Sequence, residues 1–228
     1  MARTKRSGRE AKKALRAQPV PKEIRPVKPG LEGGAYKPLS DYNIKKLYQL
    51  ALSALEDIGL ALAPKSGIKY MTNAGAKLGS DGRLRFPKSL VEDMISLSAK
   101  DITLFGREEK FDLSLSGKKV YFGTAGAAVH LVDIENRAYR DSTSGDLFKA
   151  AQITHELDNV HFFQRVMVAR DITDNYEMDI NTLYACCAGT TKHVGTSFTD
   201  PSHVSGCFDF LHTIAGGKVN WQGRPFCL

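Results

Sequence analysis

The feature that most limits what this chain can fold into lies between Lys118 and Leu228, where strand-like apolar runs alternate with helix-length amphipathic segments. Lys119-Val-Tyr-Phe122 is an apolar burst that passes into Gly123-Thr-Ala-Gly126, small residues of the kind that let backbone approach a ligand. Ala128 to Leu131 stays apolar, and Asp133 to Tyr139 reads as a polar turn with a short return strand. Thr143 or Ser144 then caps a helix whose Leu147, Phe148, Ala151, Ile153 and Leu157 recur at near-helical spacing. Asn159 to Val168, β-branched and aromatic, predicts a second strand, Asn175 to Ala188 a second helix, and His193 to Phe198 a third strand. Asp200-Pro201 opens a third helix with Val204, Phe208, Leu211 and Ile214 on one face, and Gly216-Gly217 closes it. A fourth strand starts near Arg224, in Arg224-Pro-Phe-Cys-Leu228.

Parallel strands need crossovers of this length, so the segments near 119–123, 160–168, 193–198 and 224–228 are expected to lie adjacent and parallel, in that order. Periodicity leaves a barrel and an open sheet as alternatives. A series that stops on a strand reads as the front part of a larger α/β fold.

Ahead of it, Ser40-Asp41 caps a helix with a broad apolar stripe (Ile44, Leu47, Tyr48, Leu50, Ala51, Ala54, Leu55, Ile58) that Gly59 ends, and packing is its expected task. Ser66 to Asn73 and Pro87 to Ala99 predict two more helices around a turn-rich pair at Gly75 to Leu84. Asp101 to Phe105 and Phe111 to Leu115 alternate polar and apolar, as half-buried strands do. The expected organisation is a basic flexible arm (1–28), an α+β cap (29–117) and the β/α region (118–228).

Charge is concentrated in the arm. Residues 1–28 hold ten Lys or Arg against Glu10 and Glu23, so the other 200 residues sum to −1 although the chain carries +7. A basic globular surface for nucleic acid is therefore not implied. A cationic arm attracts RNA, anionic lipid or acidic protein alike; the plainer readings are a solvated tail or an arm packed across a partner subunit of a homo-oligomer. An Arg-rich, acid-poor start also fits an organelle transit peptide, although Glu10 and the prolines at 19, 21, 26 and 29 interrupt it. No run of about 18 apolar residues predicts a membrane span, and without a secretory core the cytoplasm is the default.

Specific chemical signatures are few. The six histidines are scattered one per element, with no HxH or HExxH spacing, and no metal site is expected. Gly123-Thr-Ala-Gly126 lacks both GxGxxG and the Lys-Ser/Thr of a phosphate loop. Cys186, Cys187, Cys207 and Cys227 fit neither CxxC nor a disulfide framework and read as buried reduced thiols.

Several pieces, taken in order, do carry a likeness: Arg9-Glu-Ala-Lys-Lys-Ala-Leu-Arg16, Gly30-Leu-Glu-Gly-Gly-Ala-Tyr-Lys-Pro-Leu-Ser40, Ala54-Leu-Glu-Asp-Ile-Gly59 and Leu84-Arg-Phe-Pro87. Phe122-Gly123-Thr124, Val168-Ala-Arg-Asp171, Asp179 to Tyr184 and Ala188 to Phe198 continue it. Together they resemble the trimethylamine:corrinoid methyltransferase family. The resemblance implies a (β/α)8 TIM barrel, here partial, that moves a methyl group from a tertiary or quaternary amine to the cobalt of a corrinoid (cobalamin) carried by a partner protein, the chain itself binding no cofactor. It places the chain in methylamine metabolism of the kind methanogenesis draws on. Trimethylamine serves the members with pyrrolysine, and glycine betaine and related compounds those without. Family chains are much longer, so the likeness covers an N-terminal half and the pyrrolysine position would fall beyond Leu228.

Cation recognition uses aromatic faces and carboxylates, and a barrel presents its functional groups at the C-terminal ends of strands. The candidates are Gly123, Thr124 and Gly126 after strand one, Arg170 and Asp171 after strand two, and Thr196, Ser197 and Phe198 after strand three. Each has a structural alternative: turns for the glycines, capping or an Arg170 pairing for Asp171, backbone hydrogen bonds for Thr196 and Ser197, core for Phe198. A non-catalytic interaction protein or an inactive truncated relic is the competing reading.

Overall fold

The computed structural model describes residues 8–17 and 29–228. The expected arm lies largely outside them, but Gly8–Ala17 is an α-helix, α1. Its run Arg9-Glu-Ala-Lys-Lys-Ala-Leu-Arg16 consists of good helix formers with no proline before Pro19, which favours helix over these residues. The described residues divide into two compact units: a larger one of residues 8–17, 29–32, 103–115 and 119–228, and a smaller one of residues 33–102 and 116–118. In the larger unit β1 (Leu31–Glu32) follows Gly30, whose φ of +72° suits the turn.

The smaller unit begins with α2 (Asp41–Ser53), where the Ser40 hydroxyl accepts the Asn43 N–H at 3.2 Å. A π-helical turn (Ala54–Ile58) extends it to Gly59, at φ +68°, where a side chain would overlap the Leu84 carbonyl. Next come α3 (Lys65–Asn73), the antiparallel hairpin of β2 (Lys77–Leu78) and β3 (Leu84–Arg85), and α4 (Lys88–Leu97). Arg83 ties hairpin to turn through the carbonyls of Ile58 (2.6 Å) and Gly59 (2.9 Å). The packing expected of the α2 stripe is not seen: Ile44, Leu47, Tyr48 and Leu50 are exposed, and Leu52 is the buried residue of this helix. A unit of three helices and one two-stranded hairpin offers too little surface to cover a stripe that wide.

In the larger unit β4 (Ile102–Leu104) pairs with β5 (Leu113–Leu115), and β6 (Lys119–Val120) runs antiparallel to β1. Strand one of the β/α series therefore starts later than the sequence suggests. Lys119 and Val120 belong to that antiparallel pair, and the parallel ladder begins at Phe122, whose carbonyl accepts the His161 N–H at 2.7 Å. It continues through the bridges Gly123↔Phe162 and Ala128↔Met167. The expected hairpin follows as β7 (His130–Val132) and β8 (Tyr139–Asp141), then α5 (Ser144–Glu156), β9 (Phe163–Gln164), α6 (Asn175–Gly189) and β10 (Val194–Gly195). After a 3-10 turn at Pro201–His203 come α7 (Val204–Ala215) and a short α8 (Lys218–Gly223).

β9 and β10 are parallel with Val194 opposite Phe163, and Val194 bridges Cys227 in parallel on its other side. The four segments thus lie side by side in chain order, as expected, each joined to the next through a helix. This is an α/β arrangement; no closed barrel is formed among the described residues. One face of the sheet (Phe163, Met167, Val194, Cys227) packs on Leu147 and Ala151 of α5, Leu183 and Cys186 of α6, and Cys207 and Leu211 of α7. Side chains alternate along a strand, so Phe162 and Gln164 stand on the opposite face, where both are half-buried.

Candidate active site

The functional end of such a sheet is where the strands finish, and here local capping fixes it. Thr143 and Asp146 form a capping box at the start of α5, and Arg140 grips Asp146 through two bonds of 2.6 and 2.8 Å. The guanidinium holds the Asp146 carboxyl well below the usual range. Ser142, fully buried, binds the ends of the first two strands together: its hydroxyl donates to Val168 O (2.6 Å) or Ala128 O (3.2 Å), and its carbonyl accepts the Arg170 N–H (2.9 Å).

Within this frame Asp171 accepts the backbone N–H (2.8 Å) and hydroxyl (2.7 Å) of Ser144, so it caps α5 from the neighbouring loop. Its partner is Ser144 and not Arg170. The Arg170 guanidinium is exposed beside Asp141 (3.3 Å) and His130 (3.5 Å). Gly123, Thr124 and Gly126 lie inside the ladder, not beyond its end. The Thr124 hydroxyl donates to Gln164 O (2.6 Å) and accepts the Gln164 N–H (2.9 Å), a methyl group on Gly123 would overlap the Phe162 ring, and Gly126 (φ +149°) lies close over the Val166 carbonyl. Thr196 donates its N–H to Leu228 O at 2.9 Å, while its buried hydroxyl has no partner among the described residues. Ser197 is exposed, and Phe198 packs half-buried against the core. Arg170 and Asp171 thus follow strand two, Thr196, Ser197 and Phe198 follow the neighbouring parallel strand three, and the glycines lie along the first strand.

Two groups escaped the sequence reading. Gln164 lies on the face opposite the helices of the core, half-buried, with its amide over Gly195. Asp179, only 2% exposed, receives the N–H (2.8 Å) and hydroxyl (2.9 Å) of Thr199 and the Nδ1 of His203 (2.7 Å) on one carboxylate oxygen. The available signal was a carboxylate between the apolar helix positions Met178, Ile180 and Leu183.

At the opposite end of the sheet the polar groups brace the fold. Lys192, 3% exposed, donates to the carbonyls of Thr154 (2.7 Å), Leu157 (2.8 Å) and Val160 (2.6 Å), closing the end of α5. His161 accepts the Phe122 N–H at 2.8 Å, and His193 contacts Phe105 O at 2.9 Å; burial depresses the pKa of both. A pocket of about 190 Å³ at this end, lined in part by Arg107, Asn220, Arg224 and Phe226, suits a small molecule only. All four cysteines are free and buried; burial pushes the Cys186 thiol up to about 12 and raises that of Cys207, whereas a hydrogen bond from the Cys227 thiol lowers that of Cys187. Among the described residues no cluster of His, Cys, Asp or Glu is arranged to hold a metal ion, and no helix is long and apolar enough to cross a membrane.

Comparison with known proteins supplies the family. The model for "Trimethylamine methyltransferase (MTTB)" matches residues 5–228. The trimethylamine methyltransferase MttB of Desulfitobacterium hafniense is 24% identical over 196 residues, covering 86% of this chain and 39% of that protein. MttB of Methanosarcina barkeri is 23% identical over 154 residues (66% and 31%), and MttB of Methanosarcina thermophila 19% over 191 residues (82% and 40%). The chain spans about two-fifths or less of the length of these relatives. With a match that runs over nearly all of its residues, the chain belongs to the trimethylamine methyltransferase (MTTB) family.

Proposed function

We propose that this chain is part of a cytoplasmic methyltransferase that moves a methyl group from a tertiary or quaternary amine, of the trimethylamine or betaine class, to the cobalt of a corrinoid held by a partner protein. The family match over residues 5–228 carries this reading. The parallel β/α order supports a (β/α)8 barrel, of which these strands would be the first four.

In the reaction the C–N bond breaks, its electron pair stays on the departing amine, and the methyl carbon passes to the cobalt nucleophile. What this chain's residues contribute is a wall for a cation. Phe198, Thr196 and Ser197 end strand three and Arg170 and Asp171 end strand two, while Gly123, Thr124 and Gly126 seat strand one closely against strand two. Asp171 acts through Ser144, holding the loop in place, and is a positioning residue.

The test is to mix the full-length methyltransferase of which this chain is part with a reduced corrinoid protein and a panel of methylamines and betaines while following the cobalt absorbance. Methylation with at least one amine is expected, weakened in KM by Phe198→Ala. Silence across the panel would favour the interaction-protein reading, to which the exposed apolar stripe on α2 already lends an observation.

A further inference from the structure

The pocket at the starting ends of the strands has no part in the reading above, and its lining belongs wholly to the larger unit. It forms where the turn after β4 comes in against the end of α6. Gly106 lies so close that a Cβ there would meet Glu108 O at 2.8 Å and Thr191 O at 3.0 Å. Its N–H donates to Asp112 Oδ1 (3.0 Å), and the Arg107 N–H donates to Thr191 O (2.8 Å). Arg107 then lines, with Ile214 and Ala215 of α7, Asn220, Arg224 and Phe226, a space of about 190 Å³.

The charges of this lining do not balance. Arg224 is paired, its Nη1 and Nη2 donating to the two Asp112 carboxylate oxygens at 3.1 and 2.8 Å, and Glu108 beside the turn pairs with Lys110 at 2.6 Å. Arg107 has no carboxylate partner among the described residues. Its Nη2 donates to Cys187 O and to Thr190 O (2.9 Å), and its Nε–H is buried with no partner among the described residues. A guanidinium stays charged at any working pH and a buried donor without an acceptor is costly, so the lining is short of one negative charge. Elsewhere it is apolar: Phe226 is 5% exposed, its ring centroid 6.0 Å from the Arg107 guanidinium carbon, and Ile214 and Ala215 are half-buried. Asn220 donates its amide N–H groups to Ala215 O (3.2 Å) and Gly216 O (3.1 Å) and adds no charge.

We infer that this pocket binds a short-chain monocarboxylate, its charge met by Arg107 and its hydrocarbon body laid on Ile214, Ala215 and Phe226. One uncompensated cation calls for a single negative charge, which disfavours a dianion such as phosphate, and the apolar side of the lining calls for a ligand with a carbon body. A space of about 190 Å³ has room for an acid of a few carbons and none for a nucleotide or a corrin ring. The site lies at the end of the sheet opposite Asp171 and Phe198, so it is independent of the amine reading.

The experiment is isothermal titration calorimetry of the full-length protein of which this chain is part, at constant pH and ionic strength, with sodium butyrate, butyramide and sodium phosphate. Butyrate should bind saturably, one per chain. Butyramide, a neutral molecule of the same shape, and phosphate should each bind at least about tenfold more weakly. Arg107→Gln should weaken butyrate by about the same factor. Because Arg107 also holds the end of α6, Ala215→Leu supplies a second variant, which fills the space and keeps the guanidinium; checked for fold by circular dichroism, it should abolish binding. Butyrate that fails to saturate, butyramide or phosphate binding as tightly as butyrate, or undiminished binding to folded Ala215→Leu overturns the inference, and the first two outcomes need no variant to fold.

Discussion

The side-chain amide of Gln164 lies where a Cβ at Gly195 would stand, so these two residues of adjacent parallel strands share one site on one face of the sheet. The overlapping atom is the tip of a flexible side chain. Gly195→Ala is therefore expected to cost less than about 1 kcal/mol while displacing the amide. Gly123→Ala meets the Phe162 ring instead and should cost about 1–3 kcal/mol. Urea unfolding of the two variants checks the order; Gly195→Ala proving the more destabilised would contradict it.

Lys192 closes the end of α5 with three carbonyl bonds and almost no exposure. Lys192→Met leaves those carbonyls without a donor, and a loss of about 3 kcal/mol is expected. Lys149→Met, at an exposed position of the same helix, should change stability by less than about 0.5 kcal/mol. Equal effects of the two substitutions in denaturant titrations would show that the buried ammonium is not what holds this turn.

Stability should fall as pH drops below 6.5. His161 and His193 are pushed below their ordinary value of 6.5 by burial, so between that value and their folded values the unfolded chain binds protons that the folded one does not. Stability from these groups is thus complete above pH 6.5 and lost on acidification, with a limiting slope of about 2.7 kcal/mol per pH unit for two histidines. Unfolding free energies measured from pH 7.5 down to pH 5 test this, and a flat profile would contradict it. His193→Gln should halve the slope.

The order of the parallel strands was legible because long apolar runs separated by capped helices leave few topologies open. The cap assigned to Asp171 was legible as well, though its partner proved to be Ser144 across the loop. Three features were not. Gly123-Thr-Ala-Gly126 suggests a loop, yet it pairs within the ladder because the Phe162 ring and the Gln164 backbone fill the space its missing side chains leave. Lys218–Gly223 is too short a helix, after two glycines, for periodicity to reveal. Asp179 was hidden by its neighbours: the apolar spacing of Met178, Ile180 and Leu183 defines the helix, and what a buried carboxylate binds depends on Thr199 and His203, some 20 residues away.

The most direct test of the central claim follows the methyl group itself. The full-length methyltransferase of which this chain is part is incubated with a reduced corrinoid protein and trimethylamine carrying carbon-13 methyl groups, and both products are analysed by mass spectrometry. The account expects one labelled methyl on the corrinoid for each dimethylamine released. Unlabelled corrinoid, with the amine intact or consumed by another route, would contradict it.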